Sequence, residues 1–108
     1  MTSFDDREQA FEAKFAHDEE ARFRAVARRD RLLGEWAAAY MDLSPAETAA
    51  YCDVIVRMNV DRGGEEAIVS KLLADVRAAG EQIDEAAVRS IVAQKAIEAR
   101  AQILDGAS

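Results

Sequence analysis

The chain holds one histidine, His17, and one cysteine, Cys52, so the side chains that most often serve as base, nucleophile or metal ligand are nearly absent. A serine or cysteine nucleophile needs a histidine base that a carboxylate holds in place. His17 has Asp18 and Glu20 close by but is far in sequence from Cys52. Cys52 falls on the apolar face of its expected helix and reads as a small buried hydrophobe. Carboxylate-bridged metal centres in helical bundles use Glu-x-x-His pairs on two helices. Position 14 is lysine, so not even one such pair exists. A lone thiol forms neither an intramolecular disulfide nor a thiolate cage. Gly63-Gly64 lacks the Lys-Ser/Thr that completes a phosphate loop, and a helix end accounts for it. No catalytic constellation, no metal site and no enzyme activity are expected.

What the sequence does carry is a pattern of charge and of aromatic rings. Residues 1–20 have a net charge of −5, residues 21–31 of +4 and the remainder of −6, which the total of −7 conceals. Phe4, Phe11 and Phe15 recur at spacings of 7 and 4, one face of a helix, inside the acidic block. That stripe is thin, because Glu8 interrupts it and charged residues crowd around it. Such a segment is marginal alone and suits a groove on a partner. Docking of the same rings back on the body of the protein, as a peripheral helix, is the other reading. His17, in this acidic setting, would hold its proton more tightly, which makes it a candidate pH sensor near neutrality, the less favoured of its two readings. An exposed polar residue with no such role is the favoured reading.

In the basic block, Arg24, Arg28 and Arg31 follow one helical face at spacings of 4 and 3. They suit phosphate groups or an acidic protein surface. They suit equally well internal pairing with Glu20, Asp30 and Glu35, each exposed pair contributing at most about 1 kcal/mol.

The elements that must position these residues are helices throughout. Phe23, Val26, Ala27, Leu33, Ala37, Tyr40 and Met41 form one stripe, which predicts a long helix from about Glu20 to Met41. Gly34 inside it costs about 1 kcal/mol relative to alanine and points to close approach of another helix. Ser44-Pro45-Ala46-Glu47 is a capping box with proline at the first helical position, opening a helix to about Arg62 that Gly63 ends. Ile68, Val69, Leu72, Leu73, Val76 and Ala79 form the face of a third helix that stops at Gly80. Asp84 caps a fourth, with Ile83 and Val88 as a hydrophobic staple; it buries Val88, Ile91, Val92, Ala99 and Ile103 and ends near Asp105-Gly106. Short connections between four helices make neighbours antiparallel. The expected fold is all-α: a small four-helix bundle over residues 20–108, preceded by a mobile or partly helical segment, residues 1–19.

Composition narrows the function classes. With 14 Lys and Arg against 21 Asp and Glu, and a pI near 4.7, a duplex nucleic-acid binder is not expected. The acidic N-terminus has no apolar core of a secretory signal. The longest apolar run, Trp36–Met41, is far short of the ~20 residues that span a bilayer. A cytoplasmic protein without membrane insertion is expected.

The segment Phe4-Asp5-Asp6-Arg7-Glu8-Gln9-Ala10-Phe11-Glu12-Ala13-Lys14-Phe15-Ala16-His17-Asp18, followed by Ala27-Arg28-Arg29-Asp30-Arg31-Leu32-Leu33-Gly34-Glu35-Trp36-Ala37-Ala38, closely resembles the zeta subunit of alphaproteobacterial F-type ATP synthases. The resemblance implies an inhibitor whose N-terminal segment enters the catalytic head at an α/β interface and blocks rotation in the hydrolysis direction. The implied partners are the α, β and γ subunits of the head at the cytoplasmic face of the membrane, met by a chain that is monomeric when free. The residues so implicated are Phe4, Phe11 and Phe15 as anchors, with Asp5, Asp6, Arg7, Glu8, Glu12 and Lys14 as pairing groups. No cofactor is implied beyond weak binding of ATP or ADP, for which the Arg24, Arg28 and Arg31 face is the candidate. A helical adaptor and a nucleotide-sensing bundle are the alternative functions.

Overall fold

The computed structural model describes the backbone of residues 3–61 and 63–106, and the side chains of residues 19–60 and 63–103. Four helices follow one another: α1 (Ser3–Tyr40), α2 (Pro45–Asp61), α3 (Glu65–Ala78) and α4 (Glu85–Gly106). Among the described residues there is no strand. The all-α four-helix reading therefore holds.

The helix expected from about Glu20 starts at Ser3 instead and runs unbroken to Tyr40. The reason is local. No glycine or proline precedes Gly34, and the segment is rich in Ala, Glu and Arg, all strong helix formers. At the expected boundary, Arg22 pairs back across it with Glu19 at 3.8 Å, and Arg24 pairs with Glu20 at 2.7 Å, each one helical turn apart.

The other ends follow the expected chemistry. At the start of α2 the Ser44 N–H donates to Glu47 Oε1 at 2.9 Å, and the Glu47 N–H donates to Ser44 Oγ at 3.1 Å, closing the capping box. Asp84 caps α4 by accepting from the Ala87 N–H at 2.8 Å. Helix α3 ends in a Schellman turn: Gly80 is left-handed at φ 100°, and the Glu81 N–H reaches the Val76 carbonyl at 3.3 Å. Helix α1 ends in the same turn, with the Leu43 N–H on the Ala38 carbonyl at 3.2 Å, but its left-handed residue is Asp42 at φ 55°. A Cβ in that conformation costs about 1 kcal/mol. Asp42→Gly is therefore expected to raise stability by up to about 1 kcal/mol. Thermal denaturation checks this, and Asp42→Val is expected to lower the midpoint instead.

Leu33 and Ala37 of α1, Ile55 of α2, Ile68, Val69, Leu72 and Val76 of α3, and Val88 and Val92 of α4 form the core. Ile83 packs against it from the α3–α4 connection, as the staple requires. Ile91 also packs on it, Ala99 is buried and Ile103 is half-buried. One member of the expected α1 stripe departs from it: Phe23 is 69% exposed, while Val26 and Ala27 are half-buried. Tyr40 stays partly exposed and packs edge to face on Trp36, ring centroids 5.3 Å apart.

Three residue pairs set the registers. Gly34 faces Cys52, Arg31 bonds Asp53 at 3.1 Å, and Arg28 bonds Gln102. Counting antiparallel from these pairs, α2 and α4 both end beside about residues 23–25 of α1. At 1.5 Å per residue, the 38 residues of α1 measure about 57 Å. The molecule is accordingly elongated, 67 Å by 26 Å by 23 Å.

Candidate partner-binding site

The expected contact residues fall on the N-terminal half of α1. Phe4, Asp5, Asp6, Arg7, Glu8, Phe11, Glu12, Lys14, Phe15 and His17 all occupy a helical backbone, and their side chains lie outside the described residues. On that backbone, positions 4, 11 and 15 fall within about 40° of one another around the helix axis.

The basic block is described in full, and much of it is engaged within the chain. Arg24 donates to Glu20 at 2.7 Å, Arg28 to Gln102 on α4, and Arg31 to Asp53 on α2 at 3.1 Å. Two of the three arginines therefore brace α1 against its neighbours. Their partners differ from those expected, since Arg31 reaches across to α2 and Asp30 belongs to Arg29. All three pairings are at the surface, where each contributes at most about 1 kcal/mol.

The same block also holds a buried pair, Arg29 and Asp30, that is not among the expected contacts. Asp30 is fully buried and Arg29 is 9% exposed. Arg29 Nε and Nη2 donate to Asp30 Oδ1 at 2.9 and 2.7 Å, while Nη1 donates to Glu65 Oε1 at 3.0 Å. Glu65 is the first residue of α3, so this cluster fastens α3 to α1. Asp30 Oδ2 is buried without a hydrogen-bond partner. A signal was present: Asp30, Leu33 and Ala37 share the i, i+3, i+7 face of α1, which places a carboxylate on the core stripe.

Burial pushes the Asp30 carboxyl above the usual carboxylate range, opposed by the bond from Arg29 and reinforced by nearby Glu65. A carboxyl raised in the folded state favours folding most when it is protonated, and that contribution declines as pH rises through the acid range. Ser44 holds the Glu47 carboxyl down and Arg89 holds Glu66 down, so their contributions are lost on acidification. Asp30→Asn is expected to cost about 1–2 kcal/mol at pH 7, through a mismatched buried amide. Its deficit relative to wild type is expected to widen between pH 7 and pH 4, which urea melts at the two values measure.

Cys52 is 2% exposed, and its Sγ donates to the Arg31 carbonyl at 3.4 Å. Burial, then the Glu35 charge, push the thiol up, against a smaller opposing effect of Arg31. It is a packed, unreactive thiol, as its place on the apolar face suggested. Beside it, Arg31, Glu35, Leu43, Pro45, Thr48 and Ala49 line an open groove of about 380 Å³. Among the described residues no three His, Cys, Asp or Glu side chains gather as a metal site. No helix of the described residues is long and apolar enough to cross a membrane.

The geometry is thus a braced bundle with one helix projecting from it, and no reactive centre among the described side chains. Comparison with curated proteins returns no match. The family model described as ATPase inhibitor subunit zeta matches residues 1–102, nearly the whole chain, and the protein belongs to that family.

Proposed function

We propose that the chain inhibits the F-type ATP synthase by seating residues 1–19 at a catalytic α/β interface of the soluble head. The bundle, residues 20–108, then stays outside as a bulky stop, and rotation in the hydrolysis direction is blocked. The membership of the family supports the inhibitor role. The observation that carries the insertion reading is the continuity of α1 from Ser3 to Tyr40, together with registers that end α2 and α4 beside residues 23–25.

Physical chemistry favours this arrangement. A helix standing alone in water must form a first turn that is costly to nucleate, and most helical stability in proteins comes from packing. Here Leu33 and Ala37 hold the C-terminal half of α1 in the core, so the N-terminal half extends a helix already formed. Less ordering entropy is then lost on entering a cleft. Phe4, Phe11 and Phe15 are the anchors, and Asp5, Asp6, Arg7, Glu8, Glu12 and Lys14 pair with the cleft walls. The partners are the α and β subunits, with γ as the rotor that is arrested, at the cytoplasmic face of the membrane. His17 lies within the inserted segment. The free chain is a monomer in this reading. Arg24, Arg28 and Arg31 serve the bundle rather than a nucleotide, in keeping with their bonds to Glu20, Gln102 and Asp53. The deciding experiment is an ATPase assay of the homologous synthase head with the full chain and with a chain lacking residues 1–19.

A further inference from the structure

We propose that Phe23 on α1, supported by Val60 on α2, makes a second apolar contact with the ATP synthase head, at the mouth of the cleft that receives residues 1–19. The inference rests on the insertion reading and extends it past the inserted segment. Phe23 is 69% exposed and Val60 is 70% exposed. A phenyl ring left so open in water is a transfer free energy not yet used.

The position of these two residues gives them their occupant. Phe23 is four residues beyond Glu19 on an unbroken helix, a separation of about 6 Å along the axis. Once residues 1–19 are seated, a rigid helix carries Phe23 to the rim of the same cleft. Val60 arrives with it. Counted antiparallel from the Gly34–Cys52 and Arg31–Asp53 pairs, Val60 lies beside residues 24–26 of α1. Both side chains therefore sit at the end of the bundle from which the N-terminal segment leaves. On the neighbouring turn of α1 the charged side chains are paired, Glu19 with Arg22 and Glu20 with Arg24. These pairs leave no lone charge of α1 beside the ring on that turn. Ile97 is as open, at 67%, but the Arg28–Gln102 pair places it beside about residue 33, well inside the length of the bundle. It is the internal control.

The test is inhibition of the homologous ATP synthase head, titrated with full-length variants whose thermal midpoints are measured in parallel. Phe23→Ala is expected to raise the concentration for half-inhibition about tenfold or more, and Val60→Ala about threefold. Both should melt as the wild type does, and Ile97→Ala should inhibit as the wild type does. Unchanged inhibition by Phe23→Ala, with Phe11→Ala weakened, overturns the second contact and leaves the insertion reading standing. Unchanged inhibition by both overturns the two together. A lower thermal midpoint for Phe23→Ala, or an equal loss with Ile97→Ala, also overturns the inference, because the ring would then be acting through the fold or through general surface apolarity.

Discussion

A chain lacking residues 1–19 is expected to melt within a few degrees of the full chain and to have lost its inhibition of the ATP synthase head. The first half of that result follows from where the core lies. Every side chain of the main core belongs to residue 33 or later, and the α1–α3 ion-pair cluster begins at Arg29. The only described ion pairs that the cut removes or frays are Arg22–Glu19 and Arg24–Glu20, both exposed and within α1. Exposed pairs of that kind are worth at most about 1 kcal/mol each. The second half follows from the anchors. Burying a phenylalanine ring contributes about 2 kcal/mol, so three rings amount to several orders of magnitude in affinity before ordering costs. Circular dichroism, a thermal melt and an ATPase titration on one preparation test both halves. A truncated chain that inhibits as well as the full one would rule out the insertion mechanism. Should the truncated chain fail to fold, Phe11→Ser with Phe15→Ser in the full chain asks the same question, with loss of inhibition again expected.

Much of the fold was legible because the local signals agreed with one another. Ser44, Pro45 and Glu47 marked the start of α2 and Asp84 that of α4, Gly63 and Gly80 the ends of α2 and α3, and each does what its chemistry suggested. The apolar spacing of α3 named Ile68, Val69, Leu72 and Val76 as buried, and they are. The start of α1 was less legible, because nothing between Ser3 and Tyr40 stops a helix and only tertiary burial distinguishes its two halves. Phe23 misled for a related reason. Its spacing places it near the stripe, but α2 and α4 end beside it and no helix remains to cover it. The role of Arg29 and Asp30 was hidden by composition: inside a run of arginines at a net +4, a lone aspartate reads as surface pairing. The shared face of Asp30, Leu33 and Ala37 places the carboxylate on the core stripe, while the bond from Arg29 to Glu65 appears only once α3 is packed. For residues 1–19, charge blocks and ring spacing point to a partner, yet the identity of that partner rests on the resemblance of residues 4–38.

Gly34→Leu is expected to lower stability by about 3 kcal/mol and the thermal midpoint by more than 10 °C, since 1 kcal/mol moves a domain of this size by roughly 4 °C. A Cβ at Gly34 lies 2.7 Å from Cys52 Sγ, 2.9 Å from Cys52 Cα and 3.2 Å from Cys52 Cβ. The thiol can rotate away, but the Cα cannot, so any side chain at position 34 pushes α1 and α2 apart. That separation opens the layer holding Leu33, Ala37 and Ile55 and stretches the Arg31–Asp53 pair. Gly34→Ala sets two effects against each other. Alanine gains about 1 kcal/mol of helix propensity over glycine, while the forced shift costs about 1–3 kcal/mol. The net expectation is a loss of about 1 kcal/mol, because the contact is with backbone. Adding Cys52→Gly to Gly34→Ala removes the sulfur and Cβ contacts and leaves the one to Cα, so the clash is relieved in part. A double-mutant cycle of thermal melts is therefore expected to show a coupling of about 1 kcal/mol between positions 34 and 52. Additive effects would mean that the two helices do not meet there. Because Gly34 lies eleven residues from Phe23 along α1, the same substitutions also separate folding from binding. Wherever Gly34→Ala remains folded, its inhibition of the synthase head should equal that of the wild type, the projecting half of α1 being untouched.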